Sequence, residues 1–206
     1  MKRLSLLPLA TLVALLLWAG QASAVSITLD LNFSFGTEPA SGPVSITFED
    51  TAVDTVEVTI DASGLSSPEY VKEIYFNYVN APATGLTLTY EGGSSTGPAA
   101  TVSLGDNSFM ADGDGLYDIF LEFPAPAGSR FDAGEVVVYT ITGTGITAAD
   151  FVEIAAPGGG AGPFFAAAKI NATDGGEGSD WLGAVPEPGT ALLLGLGLVG
   201  LAGRRR

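Results

Sequence analysis

Alternating hydrophobic and polar positions dominate the chain from Val25 onward. In the first run, apolar side chains occupy every second position, namely Ile27, Leu29, Leu31, Phe33 and Phe35. A period of two is that of a strand with one buried face, so this run predicts one long strand. The pattern returns at eight further places, and we predict strands around residues 44–48, 56–60, 74–78, 86–90, 101–104, 118–123, 135–142 and 164–170.

Turn-forming residues separate these runs. Gly, Pro, Asn, Asp and Ser cluster at residues 37–43, 61–68, 92–98 and 156–163, and such clusters mark loops. Residues 147–154 favour a helix, because Thr147 can cap it and Asp150 follows three positions later. About nine short strands joined by turns predict the all-β class. The expected architecture is an antiparallel β-sandwich, either jelly-roll-like or immunoglobulin-like.

The N-terminus departs from this pattern. Lys2 and Arg3 precede an apolar stretch over residues 4–20, and small side chains follow at Ala22 and Ala24. This order predicts a secretory signal peptide over residues 1–24, which signal peptidase cleaves after Ala24.

The C-terminus departs from it as well. Pro186, Glu187 and Pro188 precede an apolar run over residues 191–203, and the chain ends in Arg204, Arg205 and Arg206. As a helix the run is about 20 Å long, at 1.5 Å per residue, whereas a bilayer core measures about 30 Å. We therefore predict one short transmembrane helix, with the arginines on its cytoplasmic side.

This three-part order resembles the PEP-CTERM sorting signal. The resemblance implies export from a bacterium that makes exopolysaccharide, with insertion in the inner membrane by the C-terminal helix before exosortase processes the tail. Pro186, Glu187 and Pro188 then form the recognition motif, and Arg204, Arg205 and Arg206 form the stop-transfer signal. The implied destination is the cell surface or the extracellular matrix. A simple single-pass anchor remains the alternative.

Composition narrows the possible functions of the middle of the chain. The 206 residues include no Cys and no His, which excludes thiol and imidazole nucleophiles and metal ligands. Between the two ends lie 22 acidic residues and three basic ones, Lys72, Arg130 and Lys169, for a net charge of −19. So acidic a surface argues against a nucleic-acid partner. We predict an acidic β-sandwich domain over residues 25–170 and a Gly-rich linker over residues 171–185, followed by the sorting tail over residues 186–206.

One acidic cluster is a candidate for metal binding. Asp112, Asp114 and Asp118, with Asp106 as a fourth carboxylate, stand beside glycines. Closely spaced oxygens of this kind suit Ca²⁺ as a cofactor. The competing interpretation is a tight turn before a strand, because Asp-Gly is a preferred turn pair.

Aromatic side chains are candidates for sugar binding, or alternatively for core packing: Tyr75, Tyr78, Tyr90, Phe164, Phe165 and Trp181. The sequence contains no nucleophile elbow and no phosphate-binding loop, and we predict no catalytic residues. The expected protein is a non-enzymatic surface or matrix component with a structural or adhesive role in exopolysaccharide. The alternative is a calcium-dependent carbohydrate-binding module.

Overall fold

Two antiparallel sheets form the fold in a computed structural model that describes residues 24–185. The first sheet has the order β1 (Ser26–Leu31), β3 (Val44–Ala52), β4 (Thr55–Asp61), β10 (Val136–Thr142), β6 (Thr87–Tyr90). The second has the order β2 (Phe33–Ser34), β12 (Gly178–Gly183), β11 (Ala166–Thr173), β5 (Tyr70–Phe76), β8 (Leu116–Glu122), β7 (Thr101–Met110), and β9 (Phe131–Asp132) pairs with β5. The predicted all-β sandwich is confirmed.

Several predicted features lie outside the described residues. They are Ala22 with the rest of the signal peptide before Ala24, and everything from Pro186 to Arg206, including the sorting motif, the transmembrane helix and the stop-transfer arginines. Within residues 24–185, no helix has the length and apolar character needed to cross a bilayer.

Side chains that point inward from both sheets form the main core. Along β4 the buried positions are Val56, Val58 and Ile60, and they alternate with half-buried ones. Phe48 from the first sheet contacts Phe76 from the second, with ring centroids 5.4 Å apart. The period of two that defined the strands in the sequence is therefore the pattern of burial in the fold.

The first predicted strand is in fact two strands in different sheets. Leu31 ends β1 and pairs with Val44 in the first sheet, whereas Phe33 in β2 pairs with Gly183 in the second. The chain crosses between the sheets at Asn32. Alternation persists through the crossing, so it could not reveal the change of sheet.

The prediction of a Gly-rich linker over residues 171–185 is wrong. These residues hold the end of β11, a short 3-10 turn at Asp174–Gly176 and all of β12. Asp180 in β12 is fully buried, and its carboxylate accepts hydrogen bonds from the Ser34 hydroxyl at 3.0 Å and from the Gly36 and Ala40 amides at 2.9 Å each. The segment is therefore an integral part of the second sheet.

The helix predicted over residues 147–154 is shorter than expected. It is a 3-10 turn at Ala148–Phe151. The Asp150 carboxylate accepts hydrogen bonds from the Thr147 amide at 2.8 Å and from the Thr147 hydroxyl at 3.0 Å. The two residues proposed for the cap do interact, although they initiate a single turn.

Candidate functional site

Asp112 and Asp114 lie in the turn that joins β7 to β8, whereas Asp106 lies in β7 and Asp118 in β8. Asp112 and Gly113 both adopt positive φ, at 48° and 82°, as a tight turn requires. Asp106 and Asp112 are exposed, whereas Asp114 and Asp118 are buried. The structure thus shows the turn that the sequence offered as the alternative to a metal site.

The carboxylates of the two buried aspartates accept hydrogen bonds from backbone amides of other segments. Asp118 accepts hydrogen bonds from the Asn107 amide at 2.6 Å and the Tyr78 amide at 3.1 Å. Asp114 accepts from the Ala161 amide and, at 3.4 Å, from the Gly162 amide. Among residues 24–185, no three acidic side chains come together as a metal site. Calcium binding by Asp106, Asp112, Asp114 and Asp118 stays a prediction without support from this geometry.

Every buried acid in the described part of the chain has this kind of structural partner. Besides Asp114, Asp118 and Asp180, the set contains Glu69, which accepts hydrogen bonds from the amides of Ser41 at 2.8 Å and Ser66 at 3.1 Å. Buried carboxylates are costly unless they are hydrogen-bonded. These four hold loops against the sandwich.

A second hydrophobic cluster covers the outer face of the second sheet. It contains Tyr75, Tyr117 and Trp181, whereas the strand neighbours of Tyr75, Ile74 and Phe76, belong to the main core. Aromatic contacts run across this face from Trp181 through Tyr75 to Phe120, with ring centroids 5.9 Å and 4.7 Å apart.

The candidate sugar-binding aromatics are mostly packed. Tyr75, Tyr78, Phe164 and Trp181 are buried, and Tyr90 and Phe165 are half-buried. A sugar-binding platform needs an exposed ring face, so the structure favours the packing interpretation for these six residues.

A polar groove opens where β5, β11 and β12 meet, at one end of the second sheet. It is open to solvent and has a volume of about 470 Å³. Its charged and polar lining side chains are Tyr70, Arg130, Lys169, Asn171, Glu177 and Ser179. Adjacent strands position them, since Asn171 is paired with Tyr70 on one side and with Ser179 on the other.

Two of the three basic residues of the acidic domain line this groove. The guanidinium of Arg130 lies 4.5 Å from the centroid of the Tyr70 ring, and the ammonium of Lys169 lies 5.4 Å from that of Trp181. The third base, Lys72, forms an ion pair with Glu122 at 2.8 Å. The groove therefore concentrates positive charge in a domain whose net charge is −19.

The sequence pattern did not assign Arg130 and Lys169 to a site. The available signal was their rarity, because a base is unexpected in so acidic a domain unless it has a specific partner. The two residues are 39 positions apart in the chain, and this spacing gave no indication that they line one groove.

The last described residues connect the sandwich to the C-terminal tail. Ala184 is buried and donates its amide hydrogen to the Ala166 carbonyl at 2.9 Å. Residues 184–206 match the family model of the PEP-CTERM protein-sorting motif. The chain carries a PEP-CTERM sorting motif. No curated protein and no solved structure matches the chain.

The PEP-CTERM motif implies an exported protein that is anchored transiently in the membrane at its C-terminus and sorted by exosortase. It confirms the resemblance drawn from Pro186, Glu187, Pro188 and the terminal arginines. The match begins inside the folded domain, at Ala184, so the sandwich and the sorting motif are directly adjacent.

Proposed function

We propose that this protein is a non-enzymatic component of the cell surface or extracellular matrix, retained in exopolysaccharide after its PEP-CTERM tail is processed. The observation that best supports this proposal is the position of the PEP-CTERM motif, directly after β12. Cleavage near Pro186 would leave every strand of the sandwich intact, because β12 ends at Gly183. In the same proposal, signal peptidase cleaves after Ala24. The new first residue, Val25, is held on the sandwich, because its carbonyl accepts a hydrogen bond from the Asp50 amide at 2.9 Å.

The non-enzymatic assignment is supported by the chemistry of the side chains. The chain has no Cys and no His, and its buried carboxylates accept hydrogen bonds from backbone amides. Paired carboxylates for glycoside cleavage need one acid free to give up a proton and a second free to act as base or nucleophile. Turnover on a panel of polysaccharides that is lost on replacing a carboxylate pair would contradict this assignment.

Fractionation of host cultures tests the matrix role. The wild type is compared with a chain that ends at Val185, each in a host that makes exopolysaccharide and in one that does not. We expect wild-type protein in the matrix fraction of the first host only. The shortened chain should stay inside the cell envelope of both hosts, because it lacks the signal that sorts the protein to the surface. Equal retention of the shortened chain would show that the tail does not direct sorting. Equal amounts of wild-type protein in the matrix fraction of both hosts would show that exopolysaccharide does not retain it.

A further inference from the structure

The groove between Arg130 and Lys169 combines features that an anionic ligand requires. The cationic groups of Arg130 and Lys169 line one concave surface. Neither forms an ion pair within residues 24–185, where the ion pair is that of Lys72 with Glu122, outside the groove. Aromatic rings lie under both cations, and cation–π contact restricts the positions of the charged groups. A site with its charges already in place loses less conformational freedom on binding.

Two polar atoms of groove residues lack partners. In the part of the chain that the structure describes, Arg130 Nε is a buried donor without an acceptor, and Asn171 Oδ1 is a buried acceptor without a donor. The other end of the Asn171 amide is engaged, since Nδ2 donates to the Tyr70 hydroxyl at 3.1 Å. Unpaired buried polar atoms cost free energy. A ligand that brings acceptors to Arg130 and hydroxyl donors to Asn171, with a small local adjustment, would relieve that cost.

We propose that this groove binds a carboxylate-bearing sugar, a uronate unit of an acidic polysaccharide. A guanidinium binds a carboxylate through two parallel hydrogen bonds, and an ammonium binds it as a point charge. Asn171, Ser179 and Tyr70 offer amide and hydroxyl groups for the ring hydroxyls. This proposal rests on the proposed matrix function, from which it takes the class of ligand, a polysaccharide. It adds which residues bind the polysaccharide and which charge the bound sugar unit carries.

The charge of the rest of the domain determines how the site must be tested. A net charge of −19 repels a long polyanion, whereas salt at about 0.15 M screens charges beyond about 8 Å. Glu177 also lines the groove, and it opposes an anion locally. Binding of short oligomers at physiological salt therefore measures the direct interaction of the ligand with Arg130 and Lys169.

Calorimetry on the exported protein purified from host cells tests the proposal. The probes are a galacturonate hexamer, its methyl ester, which keeps the ring and removes the charge, and a sulfated dextran oligomer of similar charge. The variants are Arg130→Gln, Arg130→Lys and Lys169→Gln. Lys72→Gln is the matched control, because it removes the same charge outside the groove. Unchanged thermal midpoints verify that each variant is folded.

We expect saturable binding of the uronate hexamer, with at least tenfold weaker binding of the ester. Arg130→Gln and Lys169→Gln each weaken hexamer binding at least tenfold, Arg130→Lys has an intermediate effect, and Lys72→Gln changes it less than twofold. The proposal is overturned by absence of hexamer binding, by an equal effect of Lys72→Gln, or by equal binding of the sulfated oligomer.

The groove and the matrix function can fail separately. If the groove variants stay in the matrix fraction while the purified protein does not bind the hexamer, the groove assignment falls and the matrix role stands. If the hexamer binds as expected but removal of the tail does not change localisation, the matrix role falls and the groove remains a uronate site.

Discussion

Two buried tyrosines show how much a single hydroxyl partner matters in this core. Tyr139 and Tyr117 are both almost completely buried. The Tyr139 hydroxyl accepts a hydrogen bond from the Ala100 amide at 2.6 Å. The Tyr117 hydroxyl has no partner among residues 24–185. The same chemical group therefore stabilises the fold at one position and destabilises it at the other.

Replacing each tyrosine by phenylalanine should change stability in opposite directions. Tyr117→Phe removes an unpaired buried hydroxyl and should raise the free energy of unfolding by about 1 kcal/mol. Tyr139→Phe leaves the Ala100 amide without its acceptor and should lower it by about 1–2 kcal/mol. Urea denaturation of the exported protein measures both. A loss of stability in Tyr117→Phe would mean that its hydroxyl has a partner.

Stability should also fall in alkaline solution. Burial raises the pKa of Tyr117 well above its ordinary value of 10.0, and the charge of Asp114 raises it further. The folded protein keeps this phenol neutral where the unfolded chain ionises it, so the stabilisation is complete below about pH 10 and is lost as the pH rises above it.

The expected slope above pH 10 is about 1.4 kcal/mol per pH unit for such a phenol. Urea titrations between pH 8 and pH 11 compare the wild type with Tyr117→Phe, whose stability should fall less steeply. Parallel curves for the two proteins would show that Tyr117 ionises equally easily in both states.

Some residue roles could be predicted from the sequence and others could not. The Asp112-Gly113 turn followed from local chemistry, because the preference for positive φ belongs to the residues themselves. The hydrogen bonds of Asp114 and the placement of Arg130 and Lys169 in one groove depend on loops and strands that are distant in the chain. Their spacing in the sequence does not contain that information.

Strands with two apolar faces or with glycines were the hardest to predict. β12 contains Gly178 and Gly183, and composition alone favoured a linker there. The glycines are needed for close packing, since a Cβ atom at Gly183 would lie 2.7 Å from the Phe164 ring. The alternating strands β4 and β10 were predicted at nearly their observed positions, because one face of each is buried throughout. For β3 the prediction covered residues 44–48, where alternate residues are buried, and missed the end of the strand, where none is buried.

Truncation on either side of β12 tests whether this strand belongs to the folded unit. A chain ending at Val185 should keep the cooperative thermal transition of the wild type. A chain ending at Gly176 should lose it, because it lacks Asp180 and leaves β11 unpaired on one edge. Circular dichroism melts and protease resistance are the measurements. A stable chain ending at Gly176 would restore the linker interpretation.

The molecule as a whole is an acidic sandwich placed between two predicted processing points. β1 begins at Ser26, two residues after Ala24, and β12 ends at Gly183, three residues before Pro186. Val185 and Thr28 line one shared surface pocket, so the two ends of the domain lie near each other. The folded domain therefore stands directly beside the PEP-CTERM motif.

Intact mass with C-terminal peptide mapping, on protein recovered outside the host cells, shows whether the two ends are processed. We expect a protein that starts at Val25 and ends between Val185 and Pro188. A protein that still carries residues 191–206 would contradict this expectation and would indicate a simple membrane anchor.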